Sequence, residues 1–172
     1  MTDVQLPAKL WGKARKHLRG HFEQVGFFLA DYDALAHRFI VRDWRSLPEE
    51  AFEIQTSYHV TLKDELRPDL INWAFEAGAS LIEAHSHGDK GVARFSPSDL
   101  FGFQDWVPHV RWRLRGRPYA AIVTAGESFD ALAWLDGGEP VQVDQIITDD
   151  VSFEATRDTL MRPSFERMWE IR

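Results

Sequence analysis

Ala79-Ser80-Leu81-Ile82-Glu83-Ala84-His85-Ser86-His87 reads as one short strand running into a turn, and it decides both the fold class and the place to look for chemistry. The run is largely apolar, and alternate side chains of a strand point to the same face. His85 and His87 therefore face together, with Glu83 on the same side two residues before His85. Beyond the stretch 88–95, Ser96-Pro97-Ser98-Asp99 opens a helix. Asp99 falls in its first turn, close enough for a carboxylate to join the two imidazoles. Two nitrogens and one oxygen leave the fourth position of a tetrahedral ion open to water, as catalytic zinc requires. His85, His87 and Asp99 are thus the expected ligands of one Zn2+ per chain.

The flanking sequence alternates strand and helix signals. Pro7 opens an amphipathic helix over 7–20, with Leu10, Trp11, Ala14 and Leu18 on one face and Lys and Arg on the other. Residues 23–30 and 37–44 read as two strands of a hairpin turning at Asp31-Tyr32-Asp33. Segment 45–57 is acidic and weakly periodic, and reads as a functional or variable loop rather than core. A third strand is expected over 58–62, then a helix from Pro68 to Gly78. The helix from Pro97 is expected to kink or split at Pro108 and to end by Gly116 and Pro118. Runs 119–124, 129–135 and 141–147 follow as a meander of strands, and the tail from Ser152 reads as helical with a break at Pro163. The whole predicts an α/β fold, a mixed central β-sheet flanked by helices, in a single domain spanning 1–172. The two histidines would lie at a strand's carboxyl end, where ligand sites gather.

Composition narrows the chemistry. The 172 residues are 44% hydrophobic and 13% aromatic, enough to bury a sizeable core. A net charge of -7 argues against nucleic acid and anionic membranes as partners. With no cysteine there is no disulfide, thiolate nucleophile or Cys-liganded metal. The N-terminal stretch lacks a charged region followed by an apolar one, and no run approaches the ~20 apolar residues of a membrane span, so a cytoplasmic location is expected.

Each part of the site also has a plainer use. Ser96 as N-cap, Pro97 at the first helical position and Asp99 three after the cap make a good helix start without any metal. Cap and ligand are compatible, because a carboxylate near a helix N-terminus is favoured in both roles. A hydrolytic zinc site needs a general base beside its ligands. Glu23, just ahead of the buried run Val25-Gly26-Phe27-Phe28, is the candidate, and Glu83 is its rival or a supporting partner behind the ligands. His17, His21, His37, His59 and His109 are scattered and read as structural or surface residues. Arg111, Arg113, Arg115 and Arg117 suit a helix C-terminus, and the Phe165, Met168, Trp169 stripe reads as packing onto the sheet. Zinc deaminases need a Cys pair this chain lacks, and metal-dependent barrels need more residues.

Taken in order, Glu23-x-x-Gly26, His85-Ser86-His87 and Ser96-x-x-Asp99 resemble the JAMM/MPN (JAB) zinc metalloprotease family, over nearly the whole chain. The resemblance implies a JAB/MPN-type, cytidine-deaminase-like sandwich. It implies a zinc-dependent isopeptidase or peptidase that hydrolyses the amide after the C-terminal tail of a ubiquitin-like protein. His85, His87 and Asp99 would bind zinc, Glu23 would activate the zinc-bound water, and Ser96 would help stabilise the tetrahedral oxyanion. The stretch after His87 is one residue longer than the commonest family spacing, and Gly88 stands where proline often follows; neither removes a ligand. The compact length resembles prokaryotic members, some of which stand beside ubiquitin-like conjugation enzymes in antiviral operons, so such enzymes are implied partners. Two other readings stand beside this one: a non-catalytic scaffold of the same fold, and a peptidase acting on a sulfur-carrier or other small protein.

Overall fold

Leu81, Glu83 and His85 turn to one face of their strand and Ile82, Ala84 and Ser86 to the other, and the two faces meet different partners. The computed structural model describes residues 1–88, 91–149 and 151–161. Among these residues nine strands form one mixed sheet: β1 (Asp3–Gln5), β2 (Val25–Asp33), β3 (Arg38–Ser46), β6 (Ser80–Ser86), β7 (Tyr119–Ala125), β8 (Ser128–Trp134), β9 (Val141–Gln142), β10 (Gln145–Ile147) and β11 (Ser152–Glu154). Strands β4 (Phe52–Gln55) and β5 (Val60–Leu62) pair separately as a hairpin. Helices α2 (Leu66–Glu76) and α3 (Pro97–Arg113) cover the Leu81 face, where Leu70, Ile71, Phe103, Val107 and Val110 are buried. Helix α1 (Ala8–Leu18) covers the opposite face, sinking Trp11, Ala14 and Leu18 against a cluster that holds Phe28, Ile82 and Ile122.

The strand order is β11-β10-β1-β3-β2-β6-β7-β8-β9. β9 and β10 lie near opposite ends of that order, yet only Val143 and Asp144 separate them. A flat sheet would place them about 30 Å apart at ~4.8 Å per strand, several times what two linking residues span. The sheet therefore curls until its two sides meet. Val143 N–H donates to Ala131 O on β8 at 3.0 Å, and Asp144 N–H donates to Thr2 O, beside β1, at 2.7 Å.

β6 lies at the centre of this curl, antiparallel to β2 and parallel to β7. Parallel neighbours need a crossover, and α3 supplies it. That connection brings the start of α3 back over the carboxyl end of β6. On the other side, the β2–β6 register sets Val25 opposite His85, so that Glu23 arrives beside the same strand end. Gly26 makes room for this arrangement: a Cβ there would overlap the Trp44 ring and lie 2.9 Å from Arg45 O. Trp44 itself is held on Phe28, ring centres 4.4 Å apart.

Several expectations need correction. Segment 45–57 is not a plain loop: β3 runs to Ser46, a 3-10 turn covers Glu49–Ala51, and β4 follows. Leu47, Ala51 and Phe52 are buried, but so few apolar residues at irregular spacing leave no periodic signal. Pro108 neither splits nor ends its helix, because α3 keeps Phe103, Val107 and Val110 buried across it, and one missing N–H is a small loss beside that packing. Run 141–147 is two strands on two sides of the curl, so the meander stops at β9. Ser152–Glu154 is a strand antiparallel to β10, not the start of a helix, and β1 was not foreseen in a segment of three residues. The Phe165, Met168, Trp169 stripe and the break at Pro163 lie outside the described residues. Among the described residues no helix is long and apolar enough to cross a membrane.

Candidate metal centre

His85 is presented from the last turn of alternation on β6 and is almost wholly buried, 3% exposed. His87 follows on the same side, its backbone N–H donating to Thr124 O of β7 at 2.8 Å. Asp99 comes from the first turn of α3. Ligand atoms of these three residues lie within 4.8 Å of one another. Asp99 Oδ2 is 3.5 Å from His85 Nε2 and 3.2 Å from His87 Nε2. Donors around a tetrahedral zinc at ~2.0–2.1 Å are about 3.3 Å apart, so these two edges fit such an ion without rearrangement. The donor set itself, two imidazoles and a carboxylate, suits a divalent transition metal such as zinc or iron(II).

A second observation supports the fit. Both ring nitrogens of His85 are buried and, among the described residues, have no hydrogen-bond partner of acceptable geometry. Carboxylate oxygens stand near each, Glu83 Oε1 3.5 Å from Nδ1 and Asp99 Oδ2 3.5 Å from Nε2. Buried polar nitrogens left this way are costly, and an ion on Nε2 would satisfy that atom.

Glu23 is delivered by the β4–β5 hairpin as much as by β2. Its N–H donates to Thr56 O at 2.8 Å, and Gln55 Nε2 donates to its carbonyl at 2.9 Å. The Glu23 carboxylate is buried, with Oε1 3.9 Å from His87 Nε2. It therefore adjoins the ligand set without belonging to it. Ser96 closes a complete capping box with Asp99. Ser96 N–H and Oγ–H donate to Asp99 Oδ2 at 2.7 and 2.8 Å, and Asp99 N–H donates back to Ser96 Oγ at 3.2 Å. The one hydroxyl proton of Ser96 is thus committed to Asp99, and the implied oxyanion role requires the hydroxyl to turn away from it.

Glu83 stands behind the ligands, not among them. Tyr119 O–H donates to Glu83 Oε2 at 2.9 Å, and Trp106 Nε1–H donates to Tyr119 Oη at 2.9 Å. Trp106, Tyr119 and Glu83 so form a hydrogen-bonded relay whose carboxylate lies 3.5 Å from His85 Nδ1. A carboxylate on Nδ1 favours the tautomer with its lone pair on Nε2, the nitrogen that faces Asp99 and His87. Burial foremost, with Glu83 beside it, pushes the Tyr119 phenol well above its ordinary value, so it remains a donor. Tyr119 and Trp106 were not legible as site residues, since both fall on apolar positions of a strand and a helix.

Charge in the centre is tightly coupled. Burial disfavours the His85 imidazolium, but Asp99 and Glu83 outweigh it and push the His85 pKa up to about 10. Burial also acts to raise Asp99, yet His85 and His87 hold its carboxyl far below the usual carboxylate range. Burial raises Glu23 above the ordinary glutamate value, partly offset by His87 and His85. Free of metal, the flanking carboxylates therefore favour the protonated form of His85 at neutral pH.

The centre opens into a cleft of about 610 Å³ between the hairpin and the start of α3. Tyr58, His59, Val60 and Leu62 wall one side, and Ser98, Gly102 and Trp106 the other. His59 is exposed, as its surface reading expects, and it also lines this cleft. His17 stays structural, its Nε2 2.9 Å from Val25 O. Arg111 serves the helix end, its guanidinium donating to Gly116 O and Leu135 O at 3.3 and 3.2 Å.

No protein-family model matches the chain, and no curated protein matches it in sequence. Among solved structures it is similar to a protein of Desulfitobacterium hafniense determined in solution, with a TM-score of 0.56 and 14% identity, over 90% of this chain and 97% of that one. At that identity the likeness concerns the fold alone.

Two outcomes are expected of the metal-free protein. Zinc uptake near neutral pH should release about one proton per ion, drawn from His85, and apparent affinity should climb between about pH 7 and 9. A lightly buffered titration with a pH indicator measures this, and uptake without proton release contradicts the protonated His85. In a chelator competition, Glu83→Gln should weaken zinc about 10–100-fold and Tyr119→Phe less so in the same direction. Unchanged affinity in both variants removes the relay from metal binding.

Proposed function

We propose that the protein is a zinc-dependent (iso)peptidase that hydrolyses the amide bond after the C-terminal tail of a ubiquitin-like protein. The observation that carries this reading is the convergence of His85, His87 and Asp99, with ligand atoms within 4.8 Å, beside a buried Glu23 carboxylate 3.9 Å from His87 Nε2. Strand, helix and hairpin each contribute to that point, in the order of the JAMM/MPN motif, and the reading extends the fold to the JAB/MPN type.

Bound by His85, His87 and Asp99, a zinc ion would supply Lewis acidity and bring the pKa of a water molecule towards ~7. Glu23 acts as general base, taking the proton of the attacking water and returning it to the leaving amine. Its burial suits this work, because a carboxylate raised above its ordinary pKa is a stronger base and takes the water's proton more readily. Glu83, locked by Tyr119, keeps His85 in the tautomer that binds. Ser96 orients Asp99 and donates to the developing oxyanion once its hydroxyl turns into the cleft. The edge of β5 that pairs with no strand among the described residues lines the cleft and offers main-chain hydrogen bonds to an extended tail, while Ser57 and Tyr58 at the hairpin tip meet the folded head of the substrate.

The complete capping box around Asp99 favours one competing reading, a non-catalytic scaffold that keeps Ser96 and Asp99 for the helix alone. The test separates them. Zinc-loaded wild type and Glu23→Gln are incubated with a panel of tailed carrier proteins, and products are read by mass spectrometry. Wild type should cut one carrier after its tail, and the variant should keep its zinc while losing about 10²–10⁴ in rate. Undiminished turnover by Glu23→Gln would falsify the base assignment, and binding of a carrier without cleavage at any metal loading would support the scaffold.

A further inference from the structure

The cleft extends beyond the ligand set to Arg67, in the first turn of α2. Along β6, His87 stands on the Glu23 side of His85 and Glu83 on the other, and the relay from Glu83 leads through Tyr119 to Trp106. Arg67 lies over that Trp106, its guanidinium carbon 5.3 Å from the ring centre. A guanidinium resting on an indole face in this way is attracted to the ring and keeps donors for a planar ligand. Past Arg67 the cleft adjoins a hollow of about 360 Å³ between α2 and α3, to which His109 and Arg113 contribute.

Among the described residues, Arg67 is poorly matched by anions. Its Nε is buried and makes no hydrogen bond. Its ion-pair contact is with Asp64, 3.5 Å away and three residues earlier, whose side chain is 94% exposed. Pairs this exposed contribute little and are readily exchanged. Glu83 is taken by Tyr119 and His85, and Asp105, which lines the same end and opposes an incoming anion, forms no ion pair with Arg67 within 4.0 Å. A fixed, half-exposed fork of donors beside an aromatic platform matches the planar geometry of a carboxylate.

We infer that Arg67 is a carboxylate-binding subsite of this cleft, set on the Trp106 side of the ligand centre, and that it recognises a carboxylate of the bound peptide. The peptide's carboxylate is supplied either by an Asp or Glu side chain or by a free C-terminus. Calling the ligand a substrate rests on the metallopeptidase reading, whereas carboxylate binding at Arg67 does not.

The Arg67 Nε–H resonance of the isotope-labelled full chain is followed while N-acetyl-glutamate amide, N-acetyl-alanine or neutral N-acetyl-glutamine amide is added. Protein as purified and protein stripped with chelator are both titrated, because stripping removes any coordination of a carboxylate by metal. The subsite predicts a saturable shift with a carboxylate probe in both preparations, at least about tenfold weaker binding for the glutamine probe, and a similar loss in Arg67→Gln, judged folded by circular dichroism and read from neighbouring amides. Stronger binding of the glutamate probe assigns an acidic side chain, and stronger binding of acetyl-alanine assigns a chain terminus. Equal binding of the neutral probe, no shift at Arg67, or full affinity in Arg67→Gln overturns the subsite. Failure of zinc to bind leaves the stripped-protein result standing, so the two ideas fail separately.

Discussion

His85 is shut away from water with a carboxylate on each side, 3.5 Å from either ring nitrogen, and the site is organised around the charge this demands. Glu83, Asp99 and Glu23 bring three acids into one poorly hydrated region, where unpaired ionised groups cost several kcal/mol each. Something positive has to sit among them. In the metal-free chain Asp99 and Glu83 drive the His85 pKa up, which favours a proton there, and the two histidines drive that of Asp99 down. A divalent ion held by Nε2 of His85 and His87 and by Asp99 would satisfy the same acids more fully. Folding and metal binding are thereby joined, since the order of β6, α3 and β2 produces both the charge problem and its solution.

The topology explains why these elements meet. β6 needs a crossover to pair in parallel with β7, and the crossover helix must begin over the carboxyl end of β6, where the Ser96–Asp99 box fixes its first turn. β2 pairs on the other edge and stops short of Glu23, which leaves that residue to be held by Thr56 and Gln55 of the hairpin. The hairpin thus both positions the candidate base and walls the cleft. A segment that carries two such duties is a natural place for substrate selectivity to reside.

Much of this was legible in the sequence, and for identifiable reasons. Period-two alternation through Leu81, Glu83 and His85 sets the facing of both histidines, and Ser96-Pro97-Ser98-Asp99 announces a helix start by its capping chemistry alone. Glu83 was seen as a neighbour of the ligands, and only the Tyr119 hydroxyl shows what it does. Contacts made across the curl were not legible. β1 and β11 are three-residue strands whose partners are distant in sequence, and the β9–β10 step depends on closure of the whole sheet. Segment 45–57 hid its hairpin because its buried residues, Leu47, Ala51 and Phe52, follow no period. Trp106 and Tyr119 hid their roles because an amphipathic side chain on an apolar face looks like core until its polar tip finds a partner.

The most direct test of the central claim is the zinc content of freshly purified wild type, prepared without chelator, beside Asp99→Ala and Asp99→Asn. The alanine variant removes ligand and cap together, while asparagine keeps an oxygen for the capping box and loses the charge. Elemental analysis should find about one zinc per chain in the wild type, with little left in either variant while both stay folded. A wild type that takes up no zinc even after reconstitution, or an Asp99→Ala that retains all of it, would contradict the account and return Asp99 to the helix cap alone.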